Sequence, residues 1–255
     1  MRKISSNHAG RARFIGCRVI KLYVPKENIE LVNNKILFAA KLLEEKPQLL
    51  PRRAPSIETE QYSRGGETLH RGYYCPSMVY DIIIGGANRG KLLKRFKKPP
   101  TYSYGFDRNG NLVAAKNNDT KAEEVITRHG ETEVGITFEG FAENRVSCIS
   151  LAEYRSEKIY SYVCCNCDIY AQAVSSVYGE VYEYRHGVLH RVFYCMSGGS
   201  VRSYNKETAP DWERDFDRFM VEFVHDTEGY LKSYRYIEPQ GYAGQTFPIL
   251  LKRRV

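Results

Sequence analysis

The chain has 255 residues, 42% of them hydrophobic and 27% charged, a composition that excludes wholesale disorder. No stretch approaches the roughly 18 uncharged apolar residues that a transmembrane helix requires, so a membrane location is not predicted. The net charge of +8 is unevenly divided, because residues 1–100 carry 20 Lys/Arg and 8 Asp/Glu, a net of +12, whereas residues 101–250 carry 15 and 22, a net of −7. Seven cysteines without regular spacing, and an N-terminus without an apolar signal core, predict a cytoplasmic protein with reduced thiols.

The first predicted element is a helix over roughly residues 27–46. Apolar residues recur there at helical spacing and define one face, at Ile29, Val32, Ile36, Ala40 and Leu43. The helix ends at Pro47, and residues 47–70 contain three prolines and a glycine pair, which is typical of a connection. The sequence therefore predicts a basic N-terminal region, residues 1–66, with a helix and a linker, followed by a domain over residues 67–255. A single domain is the alternative.

Residues 81–91, DIIIGGANRGK, have the G-x-x-x-x-G-K spacing of a phosphate-binding loop. The next residue is Leu92, where such a loop places Ser or Thr to hold magnesium, and a proline pair soon afterwards would stop a helix. We therefore interpret residues 81–84 as a strand, residues 85–89 as a turn and Gly90 as the start of another strand.

Short alternating runs separated by turn residues follow, and they contain most of the 20 tyrosines. The stretch YSYGFDRNGNLVAA predicts a hairpin that turns at Asn109-Gly110, because Asn-Gly supplies the positive φ angles of a tight turn. The same pattern, glycine, any residue, then leucine, recurs at Gly90, Gly110, Gly187 and Gly229. A further hairpin is predicted around Asn166. We expect an α+β fold, predominantly antiparallel β, in which a Tyr-rich meander forms a large twisted sheet or an open barrel.

The basic run over residues 89–98, RGKLLKRFKK, is a candidate nucleic-acid-binding surface. Its Lys94, Arg95, Lys97 and Lys98 could neutralise phosphates while Phe96 stacks on a base. The structural alternative, which the sequence favours, is a charged edge strand, since lysines at a sheet edge discourage aggregation.

A second candidate site is a zinc set formed by Cys164, Cys167, His186 and His190. The pairs Cys-x2-Cys and His-x3-His have spacings that suit a tetrahedral zinc ion. The 18 residues between the pairs exceed the gap of a zinc finger, and the alternative is that the cysteines fill small core positions. We favour the alternative, so no metal or other cofactor and no catalytic residue is predicted.

The run TAPDWERDFDRF predicts a short acidic helix near residues 208–219. Such a helix would align its aromatic side chains on one face and project carboxylates from the rest. A solvated acidic face is the simplest interpretation, and a partner-binding patch is the functional one. The patch would comprise Asp211, Trp212, Glu213, Asp215 and Asp217.

The hairpins YSYGFDRNGNLVAA and FVHDTEGYLKSYRY resemble the Y-x-(Y/F)-D-x-x-G-x-L units of bacterial YD-repeat proteins and of β-meander immunity proteins from polymorphic toxin systems. The resemblance covers residues 80–240. It implies a cytoplasmic, non-enzymatic binding protein that neutralises a cognate toxin domain through a sheet face or loop. Nucleic-acid binding by the basic N-terminal half is one alternative. An enzyme with an active site assembled from distant loops is the other.

Overall fold

The fold was analysed in a computed structural model, which describes residues 25–44, 54, 56–83, 87–141, 145–171, 173–197, 216–238 and 244–249. One long helix, α1 (Lys26–Glu44), and one helical turn, α2 (Tyr80–Ile83), accompany thirteen strands. The strands are β1 (Thr59–Arg64), β2 (Lys91–Leu92), β3 (Tyr102–Phe106), β4 (Leu112–Asn117), β5 (Glu123–His129), β6 (Thr132–Phe138), β7 (Val146–Arg155), β8 (Lys158–Asp168), β9 (Ala173–Arg185), β10 (Val188–Ser197), β11 (Phe216–His225), β12 (Leu231–Glu238) and β13 (Thr246–Pro248).

All thirteen strands form one antiparallel sheet in the order β13 to β3, then β1 and β2. From β3 to β13 each strand pairs with the next one along the chain, as the hairpin pattern predicted. The predicted fold class is confirmed: the sheet is an open meander with one N-terminal helix and clusters of tyrosine rings. Strand β2 lies at the sheet edge and pairs only with β1 among the described residues.

The predicted tight turns have a local cause in their aspartates. In the β3–β4 turn, the carboxylate of Asp107 accepts hydrogen bonds from the backbone N–H groups of Asn109 and Asn111, both at 2.9 Å. In the β11–β12 turn, Asp226 accepts the equivalent bonds from Glu228 and Tyr230 at 2.9 Å. The recurrent D-x-x-G-x-L unit is therefore a device that closes a hairpin.

Helix α1 packs on one side of the sheet, here called the helix face. Its buried residues, Val32, Ile36, Ala39, Ala40 and Leu43, follow the helical repeat that the sequence predicted. They join side chains from β6 to β11 in an apolar core that contains Ile149, Val163 and Phe193. Because these positions alternate along each strand with positions on the opposite side, a second core lies on the other side of the sheet, and a third cluster that contains Tyr104 and Ile126 lies at the β3–β5 end.

The opposite side, here called the cleft face, is covered by residues 65–83, the covering segment. This segment leaves β1, crosses the sheet as far as β9 and leads back towards β2 at the edge. Val79 and Ile83 are one helical turn apart and both pack into the core of the cleft face. The predicted strand over residues 81–84 is therefore wrong, because Tyr80–Ile83 forms a helical turn that buries Ile83 on the sheet instead of pairing with a strand.

The second half of the same prediction holds. Lys91 begins a strand rather than a helix, and Gly90 has a φ of +74°. A Cβ atom on Gly90 would lie 2.4 Å from the carbonyl oxygen of Arg64, so only glycine fits there. Residues 87–92 thus lead into a strand at the sheet edge, and Lys91 does not begin a helix as a phosphate-binding loop requires.

Candidate functional site

A cleft with a volume of about 340 Å³ lies between the covering segment and the cleft face. Its lining is mostly polar and aromatic, and it combines His70 and Tyr80 of the covering segment with Glu124, Tyr162 and Cys164 of the sheet. These groups come from sequence positions 44 to 94 residues apart. A cleft of this volume is within the usual range for small-ligand sites.

Arg71 fixes the covering segment at the cleft. Its side chain is 2% exposed, and its guanidinium donates hydrogen bonds to Glu124 Oε2 at 2.8 Å and to Ser150 Oγ at 2.9 Å, with a further bond to Glu133. Burial alone would raise the pKa of Glu124, but the charges of Arg71 and His70 outweigh it and hold that pKa well below its usual range. Arg71 has a φ of +59°, a conformation that non-glycine residues rarely adopt. The buried ion pairs therefore hold a strained backbone next to His70.

His70 stands between Glu124 and Tyr162. Its Nε2 is 3.1 Å from Glu124 Oε2, and its Nδ1 is 2.8 Å from the hydroxyl of Tyr162. The Nε2–carboxylate contact does not have the geometry of a well-directed hydrogen bond. Burial lowers the pKa of His70, but the negative charges of Glu124 and of an ionised Cys164 raise it more, so its pKa lies above the ordinary value.

Two thiols lie beside this imidazole. Cys148 Sγ on β7 is 3.3 Å from Cys164 Sγ on β8, and both residues are buried. They are diagonal neighbours, since Asn166 stands opposite Cys148 and Ser150 opposite Cys164. The hydrogen bond between the thiols lowers the pKa of Cys164 and raises that of Cys148.

The three residues form a compact donor set. One ligand atom from each of His70, Cys148 and Cys164 lies within 4.8 Å of the other two. It is the one such group of three or more His, Cys, Asp or Glu donors within the described ranges. Imidazole nitrogen and thiolate sulfur are the ligands that zinc prefers.

The structure does not bring together the candidate zinc set Cys164, Cys167, His186 and His190, which the sequence did not favour. Cys164 faces the cleft, whereas Cys167 points into the apolar core beneath α1 on the opposite side of the sheet. His186 occupies the β9–β10 turn with a φ of +50°, and His190 on β10 lies 3.5 Å from Glu222. The reason is that β8 continues to Asp168, so the hairpin predicted around Asn166 is wrong and alternation separates the two cysteines.

The predicted acidic helix is wrong at its C-terminal end. Residues 216–219 belong to β11, where Phe216 is 5% exposed in the core under α1 and Asp217, on the other face, is exposed. Alternation with a period of two therefore replaces the helical repeat. The rest of the predicted patch, Asp211, Trp212, Glu213 and Asp215, lies outside the described residues.

Only Lys91 and Leu92 of the basic run form a strand at the edge of the sheet, so the charged edge strand that the sequence favoured is confined to these two residues. Lys94, Arg95, Lys97 and Lys98 follow β2 and are exposed. The ring of Phe96, 46% exposed, packs against Tyr62 with 5.0 Å between centroids. Nucleic-acid binding by this run stays a prediction.

His70 and Cys148 were missed as partners of Cys164, although a signal for them exists. On β7, the alternate residues Cys148, Ser150 and Ala152 are small, whereas Ile149 and Leu151 between them are large and apolar. A row of small residues on one side of a strand leaves space above it, so it indicates a face covered by irregular chain. Only the covering segment supplies the histidine, and no periodicity reveals where that segment lies.

No family model matches the chain, and no curated protein shows significant sequence similarity to it. The resemblance to toxin-immunity proteins therefore stays a prediction. No helix in the described part of the chain is long and apolar enough to cross a membrane.

Proposed function

We propose that the protein binds a zinc ion through His70, Cys148 and Cys164, here called the zinc centre, and that the ion presents an open coordination position to the cleft. The observation that carries this proposal is the convergence of three donor atoms within 4.8 Å at the floor of the cleft. Two donors come from neighbouring strands and one from the covering segment. Three protein ligands and one open position are typical of zinc sites that act on a ligand.

The sulfur geometry fits zinc without rearrangement of the sheet. With a Zn–S bond of about 2.3 Å and tetrahedral angles, two zinc-bound sulfurs lie about 3.8 Å apart. The two sulfur atoms are 3.3 Å apart. Side-chain rotations that increase this separation by about 0.5 Å would make room for the ion. Two thiolates also neutralise the charge of Zn²⁺, which makes its burial less costly.

The surroundings of His70 support the same ligand set. Glu124 lies 3.1 Å from Nε2, and a metal-bound histidine ordinarily directs its second nitrogen to a carboxylate. That leaves Nδ1 as the metal ligand, with the hydroxyl of Tyr162 at 2.8 Å as the group it would exchange. The buried Nε2 has no well-directed hydrogen bond in the described structure, so this nitrogen still needs the carboxylate partner that a metal-bound histidine would give it.

The open position follows from which ligands line the cleft. His70 and Cys164 contribute to the cleft wall, whereas Cys148 lies behind Cys164 and does not line the cleft. The fourth tetrahedral position therefore points into the cleft, where water or a small polar ligand can reach it. Tyr80, Asn117 and Asn166 supply hydrogen-bonding groups around that space.

The zinc centre is tested by metal analysis of the purified protein and of its variants. We expect one zinc ion per wild-type chain after loading and dialysis. Cys148→Ala, Cys164→Ala and His70→Ala should each lose most of the bound zinc, because two remaining ligands hold zinc weakly. The matched control is Cys75→Ala, which removes another buried thiol of the same cleft. A wild-type chain without zinc, or equal zinc in Cys164→Ala and Cys75→Ala, would refute the proposal.

Protein binding is the second candidate function, and two exposed rings favour it. Phe141 is 75% exposed and Tyr170 is 79% exposed, on turns at the same end of the sheet. Arg145 joins them, because it lies 5.0 Å over the Tyr170 ring and donates a hydrogen bond to the carbonyl of Ile169. Aromatic residues and arginine dominate interface hot spots.

Six tyrosines on the strands are too deeply buried to contribute to this surface. Each of them is 8% exposed or less, namely Tyr102, Tyr104, Tyr162, Tyr182, Tyr194 and Tyr234. The partner hypothesis is therefore tested at the loop tips, by comparing proteins that co-purify with the wild-type chain and with the double variant Phe141→Ser, Tyr170→Ser. Loss of a stoichiometric partner from the double variant supports the hypothesis, and an unchanged set of co-purifying proteins contradicts it.

A further inference from the structure

Cys148 and Cys164 are close enough to react with each other as well as with a metal. Their sulfur atoms are separated by 3.3 Å, and a disulfide bond requires about 2.05 Å. Both sit on central strands of the sheet, on the same face and two residues out of direct register. Among the described cysteines, this is the one pair whose sulfur atoms are joined by a hydrogen bond.

The two thiols differ in their access to the cleft. Cys164 forms part of the cleft wall, whereas Cys148 on β7 does not line the cleft. A small reagent that enters the cleft therefore meets the sulfur of Cys164 first. Cys148 is then placed to attack that sulfur from within the protein, which is the arrangement of a reacting thiol and a resolving thiol.

We propose that a hydroperoxide entering the cleft converts Cys148 and Cys164 into a reversible disulfide and thereby releases the zinc ion. The release step rests on the proposed zinc centre, whereas the disulfide rests on the thiol pair alone. The geometry thus assigns an oxidative modification site to the floor of the cleft.

The reaction balances in two steps. The Cys164 thiolate attacks one peroxide oxygen, the O–O bond breaks, and a sulfenic acid forms while one water leaves after taking up a proton. The Cys148 thiolate then attacks the Cys164 sulfur, the S–S bond forms, and the hydroxide leaves as a second water after protonation. Two zinc-bound thiolates, one hydrogen peroxide and two protons thus give one disulfide, one zinc ion and two waters, and the peroxide accepts both electrons.

The position of the pair predicts that this disulfide is easily reduced. Cα atoms of diagonal neighbours on antiparallel strands are typically about 7–8 Å apart, above the range of relaxed disulfides. Closing the bond therefore strains the β7–β8 ladder, and strained disulfides have higher reduction potentials. A thiol reductant should restore both cysteines, after which the zinc centre can form again.

The disulfide also removes two of the three zinc ligands at once. His70 alone cannot hold zinc firmly, so one ion should leave for each disulfide formed. Since His70 belongs to the covering segment and the cysteines belong to the sheet, oxidation removes the bridge that the ion makes between them.

The experiment treats zinc-loaded and metal-free wild-type protein with one equivalent of hydrogen peroxide. Peptide mapping without reduction locates the disulfide, and a chromophoric chelator measures released zinc. We expect a Cys148–Cys164 disulfide in both samples, one zinc released per disulfide, and recovery of both thiols after dithiothreitol. Cys75→Ser should behave as the wild type, and Cys148→Ser should leave a sulfenic acid on Cys164 that dimedone labels.

Mapping in wild-type protein decides the outcome even if a variant fails to fold. A different disulfide, or sulfinic acid on Cys164 without a disulfide, would overturn the proposal. Zinc that remains bound to the disulfide form would overturn the release step. A protein that never binds zinc refutes the zinc centre, and mapping of the metal-free sample still supports or overturns the disulfide independently.

Discussion

Cys164 and Cys165 are consecutive residues of β8 with the same side chain and opposite surroundings. Cys165 points to the helix face, where it is fully buried among aliphatic side chains and burial raises the pKa of its thiol. Cys164 points to the cleft face, where a second thiol and an imidazole lie next to it. The contrast shows that cysteine chemistry in this sheet is decided by the chain that covers each face.

The two covers differ in how they satisfy backbone polar groups. Helix α1 forms its backbone hydrogen bonds internally and presents mainly aliphatic side chains, with Lys35 paired to Glu153 at 3.5 Å, so its backbone needs no polar groups from the sheet. The covering segment is irregular and is held by buried polar contacts to the sheet, from Arg71 to Glu124 and from Ser77 to Glu180. Irregular buried chain therefore requires a polar sheet surface beneath it, and the cleft face supplies one.

The largest loss of stability is expected when a methyl group is added under the covering segment. In Gly135→Ala the new Cβ would lie 1.8 Å from Glu124 Oε1 and 2.3 Å from Arg71 Nη2. We expect a loss of about 5 kcal/mol or more, because overpacking and a broken buried ion pair combine. Denaturant unfolding measures the loss. The control is Gly179→Ala on the helix face, where the closest contact is 3.0 Å, to Val32, and a cost of about 1 kcal/mol is expected. Equal stability of the two variants would contradict the account.

The next comparison removes the cation of a buried ion pair and the cation of an exposed ion pair. Arg71→Met leaves the carboxylates of Glu124 and Glu133 buried without their cation and should cost about 3–5 kcal/mol. Arg235→Met removes a partner of Glu222, but the Arg235 side chain is 54% exposed, so about 0–1 kcal/mol is expected. Chemical denaturation of both variants gives the comparison. A decrease of less than 1 kcal/mol in the free energy of unfolding of Arg71→Met would show that the Arg71 ion pairs do not hold the covering segment.

Stability should fall as pH rises because of the buried carboxyl group of Glu180. Burial raises the pKa of Glu180 to about 7 from an ordinary 4.5, although hydrogen bonds from Tyr178, Tyr182 and Ser77 lower it. The unfolded state therefore loses this proton first as pH rises, and stability should fall by about 3 kcal/mol between pH 4.5 and 7 and then level off.

Glu180→Gln should lack this part of the decline, because glutamine stays neutral. The measurement is urea unfolding across pH 4–8 in the presence of a chelator, expressed as the difference between wild type and variant. The matched control is Glu183→Gln, since Glu183 is exposed on the same strand. A difference between wild type and Glu180→Gln that does not change with pH would rule out the buried, near-neutral carboxyl group.

The two smallest changes in stability are expected for Cys165→Ala and Cys164→Ala, which should differ in their effect on zinc binding. Cys165→Ala removes a thiol from the apolar core and should cost about 1–2 kcal/mol while zinc binding is retained. Cys164→Ala should have a similar cost in metal-free protein but should abolish zinc-dependent stabilisation. Thermal unfolding with and without zinc measures both. A zinc-dependent rise in Tm that is retained in Cys164→Ala, or lost in Cys165→Ala, would contradict a zinc site on the cleft face.

Local chemistry made the meander predictable from the sequence. Asn109-Gly110 and Asp226 set their turns within a few residues, and the helical repeat from Val32 to Leu43 fixes which side of α1 is buried. The same local rules failed at Tyr80–Ile83, because a run of isoleucines fits a buried helical turn as well as a strand.

The candidate site was less predictable because it depends on contacts between distant parts of the chain. Strand alternation alone places Cys164 and Cys167 on opposite faces, provided that β8 is known to extend past Asn166. That His70 lies over Cys164 follows from the path of the covering segment, which Arg71 fixes through residues more than 50 positions away. Sequence spacing carries no information about such contacts.

X-ray absorption spectroscopy at the zinc edge, on the loaded wild-type protein, tests the ligand set of the zinc centre. The zinc centre predicts two sulfur ligands at about 2.3 Å, one imidazole nitrogen at about 2.0–2.1 Å and one further light atom from the cleft. Cys165→Ala should give the same spectrum, and Cys164→Ala should lose one sulfur. A first shell without sulfur, or with four sulfurs, would contradict a centre formed by His70, Cys148 and Cys164.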